Sequence, residues 1–126
     1  MSAMTAERGI VNGDVHNPVD VEQKIEETKN RIAAGVKIVT GCEKEMKARK
    51  RDFDLAYAQA YKRADGSIKD REYAADIDTM PHRERADNAE IAYKHAIRTA
   101  DALEKELFAW QAILKSVCAM YGAVRA

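Results

Sequence analysis

The chain has 126 residues, 33% of them charged, and its 21 basic side chains are balanced by 21 acidic ones. No global field therefore draws it to nucleic acid, and any such binding must come from local clustering of charge. No stretch approaches the roughly 20 apolar residues of a membrane span, and residues 1–15 lack the basic head and apolar run of a signal peptide, so a soluble, cytoplasmic protein is expected.

Residues 1–16, rich in small and turn-forming side chains, read as a flexible arm. A single helical domain over residues 17–126 follows. Asn17-Pro18-Val19-Asp20 places a capping side chain before a proline at the first helical position, with a carboxylate near the positive end of the dipole. From there an apolar stripe runs at alternating three- and four-residue steps through Val21, Ile25, Thr28, Ile32, Gly35, Val39, Cys42, Met46, Arg49, Phe53, Ala56 and Ala60. An average step of about 3.5 is the seam of a coiled coil. Thr28, Gly35, Cys42 and Arg49 are poor seam residues, so this helix, over about 18–64, needs a partner to hold it. Ala64-Asp65-Gly66-Ser67 is a stop and turn signal.

Between residues 67 and 78, Ile68, Tyr73, Ala74 and Ile77 carry enough apolar character for a short helical segment. Thr79-Met80-Pro81 then opens a second long helix, over about 81–124. Its seam is the stronger of the two: Ala86, Ala89, Tyr93, Ala96, Ala100, Leu103, Leu107, Trp110, Leu114, Val117, Tyr121 and Val124. The fold class expected is all-α, a long antiparallel helical hairpin of coiled-coil type with a short helical connection. If the reversal lies midway along that connection, facing residue numbers sum to about 146, pairing Met46 with Ala100 and Phe53 with Tyr93. Leu55, Tyr57, Tyr61, Ile91, Ile97, Phe108, Ile113 and Cys118 lie off the seam. Those leftovers imply further helices from other subunits, since a lone hairpin has too little core to offset the entropy of ordering it. A homo-oligomer is expected, held by Leu103, Leu107, Trp110, Leu114, Val117 and Tyr121.

Catalytic chemistry finds little footing. His16, His82 and His95 are scattered, there is no glycine-rich phosphate loop, and no Cys or His stands at metal-ligand spacing. We expect no enzyme, metal, cofactor or small-molecule substrate. The antiparallel register separates Cys42 from Cys118, so a disulfide between them is not expected.

The one local concentration of charge is Lys44, Lys47, Arg49, Lys50 and Arg51, continuing through Lys62 and Arg63 to Lys69 and Arg71. Lys44, Lys47 and Arg51 share a helix face and form a ridge that a phosphate backbone could follow. The alternative is a solvated face answered by Glu43, Glu45, Asp52 and Asp54. Tyr57 and Tyr61, one turn apart beyond the cluster, are the kind of aromatics on which single-stranded bases stack.

Lys47-Ala48-Arg49 followed by Phe53, Tyr57 and Tyr61, the turn at Asp65-Gly66-Ser67 and Asp70-Arg71-Glu72-Tyr73 resembles the UvsY-like family of phage recombination mediators. The likeness continues with Leu107, Trp110, Ile113-Leu114, Cys118 and Ala123, and so covers about residues 40–125. It implies a helical protein that closes into a ring, binds single-stranded DNA on the outside, and helps load a RecA-like recombinase onto strands covered by single-strand binding protein. The family's Lys-x-Arg contact would fall on Lys47 and Arg49. Arg49 lies on the seam, so it departs from that pattern unless its aliphatic stem carries the head out to water. The competing expectation is a helical protein–protein interaction module, a small phage structural or host-binding protein, that docks a partner through Leu55, Ile91, Ile97, Phe108 and Ile113.

Overall fold

The computed structural model describes residues 16–125, and the arm expected over residues 1–16 falls outside them but for His16. Among the described residues there are three helices and no strand: α1 (Pro18–Arg63), α2 (Ile68–Asp78) and α3 (Met80–Arg125). The described part of the chain is therefore of the all-α class. It divides into two compact units, one built from residues 1–33 and 101–126 and the other from residues 34–100.

In the first unit the start of α1 is fixed by its cap. The Asp20 amide donates to Asn17 Oδ1 at 2.9 Å, and Asn17 Nδ2 returns a bond to Asp20 Oδ2 at 2.9 Å, so one orphan amide is satisfied reciprocally. Val21, Ile25 and Thr28 of α1 are buried, as are Leu103 and Val117 of α3. Thr28 is tolerated on the seam because its hydroxyl, 2.8 Å from the Lys24 carbonyl, also lies 3.2 Å from Glu106 Oε2. Arg31 approaches the same carboxylate at 3.5 Å. Leu107, Trp110 and Leu114 are half-buried, and His16 meets the Trp110 ring edge-on with centroids 5.7 Å apart. Tyr121 is exposed. With Glu106 level with Thr28 and Arg31, the last turns of α3 pass beyond the start of α1, and residues 118–122 are exposed.

In the second unit the chain reverses within four residues. The Ala64 amide bonds back to the Ala60 carbonyl at 3.1 Å, Gly66 takes φ = +107°, and Ser67 and Asp70 form a capping box that starts α2. α2 and α3 are separated by Thr79 alone, which is buried. Its amide and its hydroxyl both donate to the Ala75 carbonyl, at 3.0 and 2.7 Å, while its own carbonyl accepts from the Arg83 amide at 2.9 Å. The helical path therefore continues through the junction, and Arg83 Nη2 staples it by pairing with Asp76 Oδ1 at 3.1 Å.

That geometry moves the pairing. The expected sum of 146 assumes a reversal in the middle of residues 65–80, whereas the chain turns at Gly66 and α2 already belongs to the returning arm. Arg71 lies over Tyr61, Arg83 over Phe53, and Lys50 reaches Glu90, so every partner comes earlier in the chain than the expected register puts it. The buried side chains of this unit are small: Ala60, Ala75, Ala86, Ala89 and Ala96, with Thr79. Alanine permits close approach of helices but removes little apolar area from water, so each layer stabilises weakly.

Candidate nucleic-acid interface

Every residue expected to contact a polyanion sits in the second unit, on α1. Seam residues Val39, Cys42, Met46, Arg49, Phe53 and Ala56 are half-buried, which fixes the rotation of the helix. Positions diametrically opposite the seam recur every seven residues, and Lys37, Lys44 and Arg51 occupy them with Lys47 alongside; all four are exposed. Lys44, Lys47 and Arg51, with Gly41, Glu45 and Ala48, line a shallow depression of about 500 Å³.

The cations differ in their commitments. Lys47 pairs with Glu43 at 3.5 Å, one turn away on a solvated face where such pairs exchange readily. Arg49 is held by Asp52 at 3.0 Å and Glu45 at 3.3 Å and is half-buried, with its Nε lacking a well-aligned acceptor. Lys50 points to the opposite flank, toward Glu90 on α3 at 3.6 Å. The Glu90 carboxyl lies below its usual range, first because Lys94 hydrogen-bonds it and then because Lys50 lies nearby. Among the described residues, Lys37, Lys44 and Arg51 make no ion pair. The five-residue cluster thus separates into an outward group, Lys44, Lys47 and Arg51, and two residues, Arg49 and Lys50, that tie the unit together.

Tyr57 and Tyr61 do not join the outward group. Both are half-buried under the returning arm. Tyr57 packs at a tilt against Phe53 with centroids 6.2 Å apart, and burial followed by the nearby carboxylates of Asp76 and Glu72 pushes its phenol above the ordinary range. Tyr61 carries the Arg71 guanidinium over its ring at 5.9 Å. Rings so placed, one of them facing carboxylates, lie under the returning arm and not along the ridge. Lys37, by contrast, was outside the expected cluster. Its signal in the sequence is positional, seven residues before Lys44 and fourteen before Arg51.

No group of three or more His, Cys, Asp or Glu capable of holding a metal occurs among the described residues. Cys42 and Cys118 are free thiols, the first half-buried and the second exposed. No described helix is long and apolar enough to cross a membrane. No family model, curated protein or solved structure matches this chain.

Proposed function

We propose that this chain is a non-enzymatic accessory protein that binds single-stranded DNA without sequence preference, through the outward face of α1. The observation that carries the reading is the row Lys37, Lys44, Lys47 and Arg51, four exposed cations along one helix face with three of them free of ion pairs among the described residues. Rise per residue sets them about 10 Å apart per heptad, close enough to track one strand. Arg49 and Lys50 support the face from behind, and Tyr57 and Tyr61 brace it rather than stack on bases.

The long helices form an antiparallel hairpin in this reading, and hairpins associate into a homo-oligomer, a ring in the family that the sequence resembles. The same resemblance supports a cytoplasmic role in phage recombination or replication, with a RecA-like recombinase and single-strand binding protein as partners. The test is anisotropy of a labelled oligothymidylate at low salt. Lys37→Ala, Lys44→Ala and Arg51→Ala together should weaken binding about tenfold or more with helicity unchanged, and unchanged affinity would overturn the site.

A second reading, a helical interaction module without a nucleic-acid role, is favoured by exposed apolar side chains. Leu55, Ile91 and Phe108 are all exposed, while Ile97 and Ile113 are half-buried. Under this reading the chain ignores the oligothymidylate, and docking of its protein partner persists as salt is raised, since apolar anchors do not release counterions.

A further inference from the structure

The returning arm of the second unit carries two stripes. Its inner one, Glu72, Ala75, Thr79, His82, Ala86 and Ala89, is buried or half-buried and keeps its three-four step straight through the Thr79 junction. The outer stripe must then keep step as well. It reads Asp70, Tyr73, Ile77, Met80, Glu84, Asp87 and Ile91, and all of it is exposed. The apolar members are the notable ones: Tyr73 is 60% exposed, Ile77 68%, Met80 60% and Ile91 64%. A stripe at seam spacing that is interleaved with carboxylates and left in water is half of a helix–helix contact.

The complementary half is on the same chain. The outer face of α1 presents Lys44, Lys47 and Arg51 around the depression that Gly41, Ala48 and Glu45 also line; Glu45 is paired with Arg49, and the two small residues leave room for a larger side chain. Lys44 and Arg51 are unpaired among the described residues, and so are Glu84 and Asp87. The charge steps also match, with a step of three residues from Glu84 to Asp87 and the same step from Lys44 to Lys47. One chain cannot bring its own two stripes together, because the inner faces of the same segments are already held against each other by Lys50–Glu90 and by Arg83 over Phe53.

We infer that the outer stripe of the returning arm docks on the basic outer face of α1 in a second copy of this chain, with Ile77 and Met80 set into the depression and Glu84 and Asp87 against Lys44, Lys47 and Arg51. The inference takes up the homo-oligomer of the reading above and names the faces that meet; it requires no nucleic acid. Two different faces in contact make the interface heterologous, so each subunit keeps one of each and the assembly closes as a ring or runs on as a filament.

Light scattering coupled to size exclusion at low salt, without oligonucleotide, tests it. The parent should exceed the 14.1 kDa of one chain. Ile77→Glu with Met80→Glu should return it to one chain, as should Glu84→Lys with Asp87→Lys, and Lys44→Glu with Lys47→Glu, all three pairs keeping their helical circular dichroism. Mixing the last two variants should restore an assembly, because each supplies the face that the other has inverted. A parent that stays single-chain over the concentration range, an assembly that survives both reversals, or a mixture that fails to reassemble would overturn the interface. Oligonucleotide binding by the Ile77→Glu, Met80→Glu variant, whose basic face is intact, judges the DNA reading separately.

Discussion

Gly66 holds the turn in a backbone conformation that side chains disfavour, and the space beside it is occupied. A Cβ there would lie 2.8 Å from Asp70 Oδ2 and 3.0 Å from Asp70 Cβ, and Asp70 cannot retreat without opening the capping box with Ser67. Gly66→Ala should therefore destabilise the fold by about 1–3 kcal/mol, read as a lowered thermal midpoint. Tyr57 makes a prediction in pH. Because the folded state raises its phenol by burial and by Asp76 and Glu72, folding favours the neutral ring; that stability is present below the unfolded value of about 10 and lost as pH rises through the folded one. Subtracting the ultraviolet titration of Tyr57→Phe from that of the parent should isolate a phenol ionising above the ordinary range, and Asp76→Asn should bring it down. A difference curve at the ordinary value would show that α2 does not cover the ring. The turn at Gly66 was legible in the sequence, but the cover over Tyr57 and Tyr61 was not, because there they look like free aromatics beside lysines. Their cover depends on where the chain turns, a property of Gly66 and Ser67 rather than of the tyrosines.

Helix by helix, the seams were legible because burial on a helix is periodic and the period survives poor residues. Thr28 and Arg49 keep their seam positions by finding carboxylates, Glu106 for the first and Asp52 and Glu45 for the second. Register was not legible, because Ala64-Asp65-Gly66-Ser67 and Thr79-Met80-Pro81 both read as helix boundaries in sequence. Only one of them is a reversal. At Thr79 a buried hydroxyl and amide share the Ala75 carbonyl, and the helical path is kept despite the proline that follows. Proline at this point costs nothing, since the first turn of a helix has amides without intrahelical acceptors anyway. Gly35 offers an element-scale prediction. It lies inside α1 with nothing within 4 Å of where a Cβ would stand, so Gly35→Ala should raise stability by about 0.5–1 kcal/mol through backbone entropy. Thermal denaturation followed by circular dichroism checks it, and a fall in midpoint would mean that the seam is closed more tightly there.

For the whole molecule, balanced charge makes any polyanion affinity a local matter with a shallow salt dependence. Four contacts from Lys37, Lys44, Lys47 and Arg51 predict a slope of about −3 in log affinity against log salt, and each Lys→Ala change should make it shallower by about 0.7. A slope indifferent to those changes would place the strand elsewhere. The outward row of cations has one more consequence. Lys44, Lys47 and Arg51 can face a strand or a neighbouring subunit but not both, so the two ligands are linked, and linkage is reciprocal. However many fold a neighbour weakens strand binding, the strand weakens the neighbour's grip by the same factor. Nucleic acid would then act as a solvent for the assembly, trimming it from the occupied subunits outward, and the length of polymer in solution would report how much single strand is present.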